Sequence, residues 1–262
     1  MGPSPTNDSD SAHRVGFVGE MRFSGCVMAT HQPRRAIEGL LPPGVGLGVA
    51  PPSPGSGDMH PLVFIFGEQS EGTILFGGMS YPLGVRYTEL GVAIPYVTYG
   101  GGRHLHTYVP RMYSSYFPPV RDGNVHYGFG KAQATIDWHG PIAALTTAAG
   151  ALLCHAAVEP LGAWRRGPGA ADETAWIAAA FALPILGRKA NGRYVRSHFR
   201  FGFRDALIRP VGCAMAIEVP LLEGMAAQRY YSGPGAAIEV QGMLWHLSWP
   251  QPLEPPCRSA PG

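Results

Sequence analysis

Tyr87-Thr88-Glu89-Leu90-Gly91-Val92-Ala93-Ile94-Pro95 alternates with a period of two. In an extended chain Leu90, Val92 and Ile94 share one face, and Tyr87, Glu89, Gly91 and Ala93 share the other. The first face is a core face. A carboxylate among small residues on the second either lines a pocket or meets water, and alternation does not choose between the two.

Outward from this stretch, short β-branched and aromatic runs end at turn residues, and 36 glycines and 26 prolines punctuate the chain. Strands are expected at Leu62–Phe66, Gly84–Val97, Leu105–Tyr113, Lys131–Trp138, Ile142–Thr147, Tyr194–Phe203 and Ala214–Pro220. Helices are expected at Gln32–Leu41, where Pro33 suits a first turn, and at Ala171–Phe181, where Asp172 and Glu173 suit an N-terminus. A mainly β (α+β) body follows. It is bounded as one domain over residues 16–248, with a disordered tail over 1–15 and a Pro-rich tail over 249–262.

A second stretch carries chemistry. In His126-Tyr127-Gly128-Phe129-Gly130-Lys131-Ala132-Gln133-Ala134, Lys131 is one of two lysines in a chain whose Lys and Arg total 20. A desolvated lysine can lose its proton and attack a carbonyl, whereas arginine stays charged. Strand parity puts Lys131, Gln133, Thr135 and Asp137 on one face, which is either the outside of a half-buried sheet or the lining of a polar cavity.

Bulk properties exclude several classes. With 15% charged residues and a net charge of +2, there is no electrostatic footprint for nucleic acid or an anionic membrane. The start is polar rather than apolar, and the stretch from Pro141 to Val158 is broken by Gly150 and His155, so neither a signal peptide nor a membrane span is expected. Cys26, Cys154, Cys213 and Cys257 are far apart without a Cys-x-x-Cys pair, which fits a reduced cytoplasmic setting. His104-x-His106 lacks a third ligand at a fixed spacing, so no metal and no other cofactor is expected. Gly100-Gly101-Gly102 lacks the ending of a phosphate loop and reads as a hairpin turn, as does the sequence around Lys189. No Gly-x-Ser-x-Gly element provides a serine nucleophile.

Taken in order, Tyr87-Thr88-Glu89, Ile94-Pro95, Met112-Tyr113 and Gly128-Phe129-Gly130-Lys131, together with Leu40-Leu41-Pro42-Pro43, resemble the acetoacetate decarboxylase family over roughly residues 20–160. That family is the known example of a lysine activated by desolvation or a neighbouring cation. Such help is needed because an unperturbed lysine is neutral in only about one molecule in 2,500 at pH 7. The resemblance implies an antiparallel double β-barrel around a central cavity, a few peripheral helices, and assembly as a homo-oligomer. It implies that Lys131 forms a Schiff base with a keto acid, that Glu89 positions substrate or moves protons, and that Arg22, Glu68, Met112, Tyr113 and Phe129 bind substrate. Arg111, beside Met112 where the family is usually apolar, is a departure that either binds a substrate carboxylate or is a surface arginine. Glu68 would reach the cavity only if Gly67 and its neighbours formed a bulge.

Departures are as specific as the matches. The family motif's second lysine is Ala132 here, the proline before its nucleophile is Gly130, and its Gly-Arg-Glu falls on Gly123-Asn124-Val125. A cationic neighbour, an arginine and a carboxylate are thereby expected to be missing. The expected function is a Schiff-base lyase that decarboxylates a keto acid. Aldolase, dehydratase or cyclase chemistry on the same lysine is one alternative, and a non-catalytic barrel that binds a small ligand is another.

Overall fold

The computed structural model describes residues 17–51, 58–76, 79–139, 142–147, 149–167, 171–233 and 235–254. The expected 1–15 tail, the end of the chain from residue 255 and most of the Pro51–Gly57 loop lie outside these residues. Strand dominates, as the alternation and turn punctuation imply.

Following the hydrogen-bonded pairs from strand to strand traces a closed cycle. Phe17–Pro33 pairs antiparallel with Met59–Phe76, which pairs with Tyr87–Tyr99, which pairs with Leu105–Ser114. Leu105–Ser114 pairs in parallel with Ile185–Arg188, whose other neighbour is Tyr194–Ser197. Past His198 the chain continues as Phe199–Gly202 against Ala237–Ser248, and Ala237–Ser248 returns to Phe17–Pro33. The interruption is bridged by His198 N–H to Ser248 Oγ and Ser248 N–H to His198 O, both 2.9 Å. Closing a sheet in this way leaves no long unpaired edge and encloses a lumen.

A second antiparallel layer runs Thr135–His139, Ile142–Thr146, Leu152–Pro160, Leu207–Ile217, Arg229–Tyr231. Residues 207–210 pair with the ring and 211–217 with this layer, so one strand joins the two. The ring strands facing the layer are consequently buried on both sides. Cys26, Met28, Phe64, Phe66, Leu90, Val92 and Ile94 pack outward against Ile136, Leu145 and Met215. Phe23, Val27, Ala29, Val63 and Ala93 point into the ring with Ile177, Phe181 and Ile238. The two faces read from Tyr87–Pro95 are therefore both core faces.

Several sequence expectations change in tertiary context. The expected Gln32–Leu41 helix shrinks to Arg34–Glu38, because Gln32 and Pro33 stay paired with His60 and Met59 at the end of the first strand. Lys131–Trp138 divides at Ala134 into a piece parallel to Leu105–Ser114 and a piece in the second layer. Tyr194–Phe203 divides at His198. The strands Phe17–Pro33, Leu152–Pro160 and Ala237–Ser248 are longer or additional to those expected, and so is the helix Phe117–Asp122, whose prolines sit at its first positions. The Ala171–Phe181 helix is where its acidic start places it. Of the expected 249–262 tail, Gln251 and Pro252 still pair with Arg196 and Val195, so the folded body extends past residue 248. The turns at Gly100-Gly101 and at Lys189, whose N–H meets Arg193 O at 2.8 Å, are hairpin turns.

Burial lowers the pKa of four histidines, His31, His60, His106 and His198, from the ordinary imidazole value. His60 has no solvent exposure and shares a 2.8 Å hydrogen bond with Pro95 O. The folded chain favours their neutral forms, so the unfolded chain binds more protons once the pH falls below about 6.5. Stability is then complete above that pH and declines below it. The thermal midpoint is expected to be lower at about pH 5.5 than at about pH 7.5, and His60→Gln should narrow that difference; equal midpoints for the parent chain at the two pH values would contradict the assignment.

Candidate active site

Register brings two distant residues together. Lys131 pairs in parallel with Met112, Met112 pairs with Gly91, and Glu89 lies two residues from Gly91 on the same inward face. Across that short diagonal Lys131 Nζ meets Glu89 Oε1 at 2.6 Å, with side-chain exposures of 8% and 7%. A charge-assisted contact of this length, removed from water, is the strongest kind of polar interaction a side-chain pair makes.

The loop before Lys131 fixes its direction. Phe117–Asp122 runs into a wider π-helical turn, Gly123–Tyr127, which stops at Gly128 with φ of 68°. Within this turn Asn124 clamps the backbone of Lys131: its Nδ2 donates to Lys131 O at 2.8 Å and its Oδ1 accepts from Lys131 N–H at 2.6 Å. Gly123 backs the lysine stem, since a Cβ there would lie 2.7 Å from Lys131 Cδ. Gly130 has φ of 56°, which a proline locked near −65° cannot adopt, so this loop reaches its lysine by a different route from the family motif.

Inside the ring lies a cavity of about 120 Å³. Its polar groups gather at one end: Lys131, Glu89, Tyr87, Gln69 and Trp245. Trp245 Nε1 donates to Gln69 Oε1 at 2.8 Å, and because indole only donates, the contact fixes which way the amide points and leaves its NH2 as a donor. Tyr87 is held above the ordinary tyrosine pKa by burial first and the Glu89 charge second, so it remains a neutral phenol; its hydroxyl donates to Met21 Sδ at 3.4 Å. A second hollow of about 340 Å³ shares Tyr87, Phe129, Lys131, Trp245 and Leu247 with the first and opens outward past Tyr116, Pro118 and Asp122. Lys131 stands where the two meet. Tyr127 stacks on Phe129 there, its pKa pushed up to about 12 by burial and then by Asp122.

Of the residues singled out in the sequence, Lys131, Glu89, Met112 and Phe129 line the cavity. The others face elsewhere. Arg22 is 40% exposed and bound to Glu71 at 2.7 Å, while its neighbour Phe23 takes the inward position. Glu68 pairs with Arg86 at 3.3 Å on the other face, because residues 63–69 keep unbroken register with both neighbouring strands and form no bulge. Gln69 faces inward instead. Arg111 donates to Gly130 O at 3.3 Å and lies over the Tyr113 ring, and Tyr113 buries its hydroxyl against Leu221 O at 2.8 Å in the core between the layers. Ala132 also packs toward that core. A lysine at 132 would point away from the cavity by strand alternation, so its absence removes no cation from the site. Gln69, Trp245 and Asn124 are the residues that sequence reading missed. Extending the Leu62–Phe66 alternation by three residues would have found Gln69.

His106 Nδ1 lies 3.1 Å from His104 O, and no group of three His, Cys, Asp or Glu side chains among the described residues is placed to hold an ion. Cys26, Cys154 and Cys213 are buried free thiols. No described helix is long and apolar enough to cross a membrane.

No protein-family model matches the chain, and no curated protein sequence does. Solved structures do match by shape. The enduracididine biosynthesis enzyme MppR complexed with pyruvate superposes with a TM-score of 0.58 at 15% identity over 96% of this chain and 95% of that one. Acetoacetate decarboxylase from Legionella pneumophila gives 0.55 at 11% over 97% and 98%. An acetoacetate decarboxylase-like enzyme from Sphingomonas wittichii gives 0.56 at 12% over 91% and 93%. The chain has the acetoacetate decarboxylase-like fold.

The Asn124 clamp has a measurable consequence. Asn124→Ala leaves two partly buried backbone groups of Lys131 without their partner and should lower unfolding free energy by about 1–3 kcal/mol, read by urea titration. Val125→Ala, at a neighbouring side chain that is 54% exposed, should stay within about 0.5 kcal/mol of the parent. Equal effects at the two positions would refute the clamp.

Proposed function

We propose that this chain is a Schiff-base-forming lyase of the acetoacetate decarboxylase type that acts on a keto acid, with Lys131 as nucleophile and Glu89 as the group that moves its proton. The observation that carries this reading is the buried 2.6 Å contact between Lys131 Nζ and Glu89 Oε1 at the polar end of an otherwise apolar cavity. Solved structures of the same fold support it, among them MppR complexed with pyruvate and acetoacetate decarboxylases.

In this reading Glu89 takes a proton from the Lys131 ammonium, and the free amine attacks the substrate carbonyl carbon. Water leaves and a protonated imine remains. The bond between the α-carbon and the carboxylate then breaks, its electron pair flows toward the imine nitrogen, carbon dioxide departs and an enamine forms. Glu89 gives up the ammonium proton with the departing water, then takes one from solvent and passes it to the enamine carbon; hydrolysis of the imine releases the ketone and restores the Lys131 ammonium. Gln69, aimed by Trp245, donates to a substrate oxygen. Among the described residues lining the cavity there is no arginine, so the iminium is the counter-charge the carboxylate meets, and loss of carbon dioxide removes a charge that has no other partner.

The 340 Å³ outer hollow beside Lys131 favours a second outcome from the same imine. A pyruvate-like acid forms its enamine by losing a proton rather than carbon dioxide. The enamine carbon then attacks an aldehyde admitted through that hollow, and the resulting alkoxide takes up a proton.

Borohydride reduction in the presence of acetoacetate or pyruvate should leave a mass adduct on the Lys131 peptide that Lys131→Ala lacks. Glu89→Gln, which keeps the shape and removes the proton acceptor, should slow turnover by about 100-fold or more. Carbon dioxide release from acetoacetate identifies the decarboxylase, and a condensation product from pyruvate and an aldehyde identifies the aldol-type enzyme. An absence of adduct across a panel of keto acids would leave the barrel as a binding protein.

A further inference from the structure

We infer that the keto acid carries an apolar chain of about three carbons, which passes Lys131 and fills the inner end of the ring. The inference rests on the imine chemistry proposed above and adds the identity of the group at the carbonyl's far side. Among the described residues lining the cavity, the charged ones are Lys131 and Glu89, at its outer end. Away from the outer hollow the wall is Val27, Ala93, Val109, Ile177, Phe181 and Ile185, none of which can partner a charge.

Orientation follows from desolvation. A carboxylate turned inward would shed its water with no donor to replace it, so the acid end stays beside Lys131 and Gln69 and the remaining substituent points inward. Size follows from volume. An apolar cavity of about 150 Å³ takes a benzene molecule, whereas this one is about 120 Å³ and includes the space beside Lys131, which leaves room for a chain of about three carbons rather than a ring. Acetoacetate or pyruvate would place only a methyl group there and leave most of the space unfilled, although protein interiors otherwise pack to crystal density. Phe199 stacks on Phe201 with centroids 5.6 Å apart, and Phe181 meets Phe201 edge to face at 5.2 Å. These rings hold one another and present a fixed aromatic wall rather than a collapsible one.

A homologous series tests this. Half-saturating concentrations for borohydride-trapped adduct on Lys131 are measured for acetoacetate, 3-oxohexanoate, 3-oxooctanoate and benzoylacetate. Each methylene that enters the cavity should tighten binding about 4-fold, so 3-oxohexanoate should saturate at a concentration more than 10-fold below acetoacetate, with benzoylacetate weaker than 3-oxohexanoate. Ala93 lies two inward positions beyond Glu89 on the same strand. Ala93→Leu fills that depth and should shrink the ratio between long and short acids, measured on the same variant, to within about 3-fold.

A trapped acetoacetate adduct with no tightening along the series overturns the inference and leaves the Schiff-base reading standing. If no acid is trapped, the series is repeated on the parent chain by quenching of tryptophan fluorescence, which needs no imine. Tightening with length there supports the apolar subsite independently of the chemistry, and flat affinities overturn it.

Discussion

The contact between Lys131 and Glu89 is the constraint to which the rest of the structure is subordinate. Each of the two charged groups is more than nine-tenths removed from water, so neither is tolerable without the other. Removing one partner of such a pair typically costs about 3–5 kcal/mol, because the survivor stays buried and uncompensated. The pair therefore exists only where the backbone holds both residues to within a few tenths of an ångström. That rigidity comes from strand pairing through Met112 and Gly91, and from Asn124 gripping the lysine's own peptide groups. A surface hairpin could not supply it, since exposed ion pairs are worth little against the entropy of holding them.

Closure of the ring explains why the central strands need apolar side chains on both faces. A ring with a polar exterior would serve if it stood alone, but here the outward positions Phe64, Phe66, Leu90, Val92 and Ile94 are covered by the second layer. The inward positions Val27, Val63 and Ala93 make the lumen's wall. One strand, Leu207–Ile217, pairs with the ring over its first residues and with the layer over the rest, so neither layer can shift without the other. The lumen inherits a fixed shape from this arrangement, and a fixed apolar shape with charge at one end is what gives a reacting carbonyl a preferred orientation.

Departures from the family motif acquire a physical meaning once the side chains have directions. Ala132 looked like a lost cation, but alternation turns that position toward the core between the layers. Gly123-Asn124-Val125 looked like a lost arginine and carboxylate, yet Asn124 has taken a positioning task that needs one donor and one acceptor on a short side chain. Gly130 accepts a positive φ that proline cannot, and this accommodates the tight approach of Pro110, whose carbonyl oxygen would lie 2.5 Å from any Cβ at 130. The polar groups at this end of the cavity include Lys131, its partner carboxylate Glu89 and the oriented amide of Gln69.

By itself the sequence determined the β-rich class, the faces of Tyr87–Pro95, the Ala171–Phe181 helix and the candidacy of Lys131 and Glu89. The first three are written in local alternation and in turn and capping residues, whereas Lys131 and Glu89 became candidates through the ordered motifs that resemble a known family. Only the tertiary structure decided that both faces of Tyr87–Pro95 are buried and that Lys131 looks into a lumen. It also replaced Glu68 by Gln69, turned Arg22, Arg111 and Tyr113 away from the cavity, and brought in Trp245. The reason is that inward and outward positions on a strand differ by a single residue of register, and register is set by neighbours that lie up to about two hundred residues away along the chain.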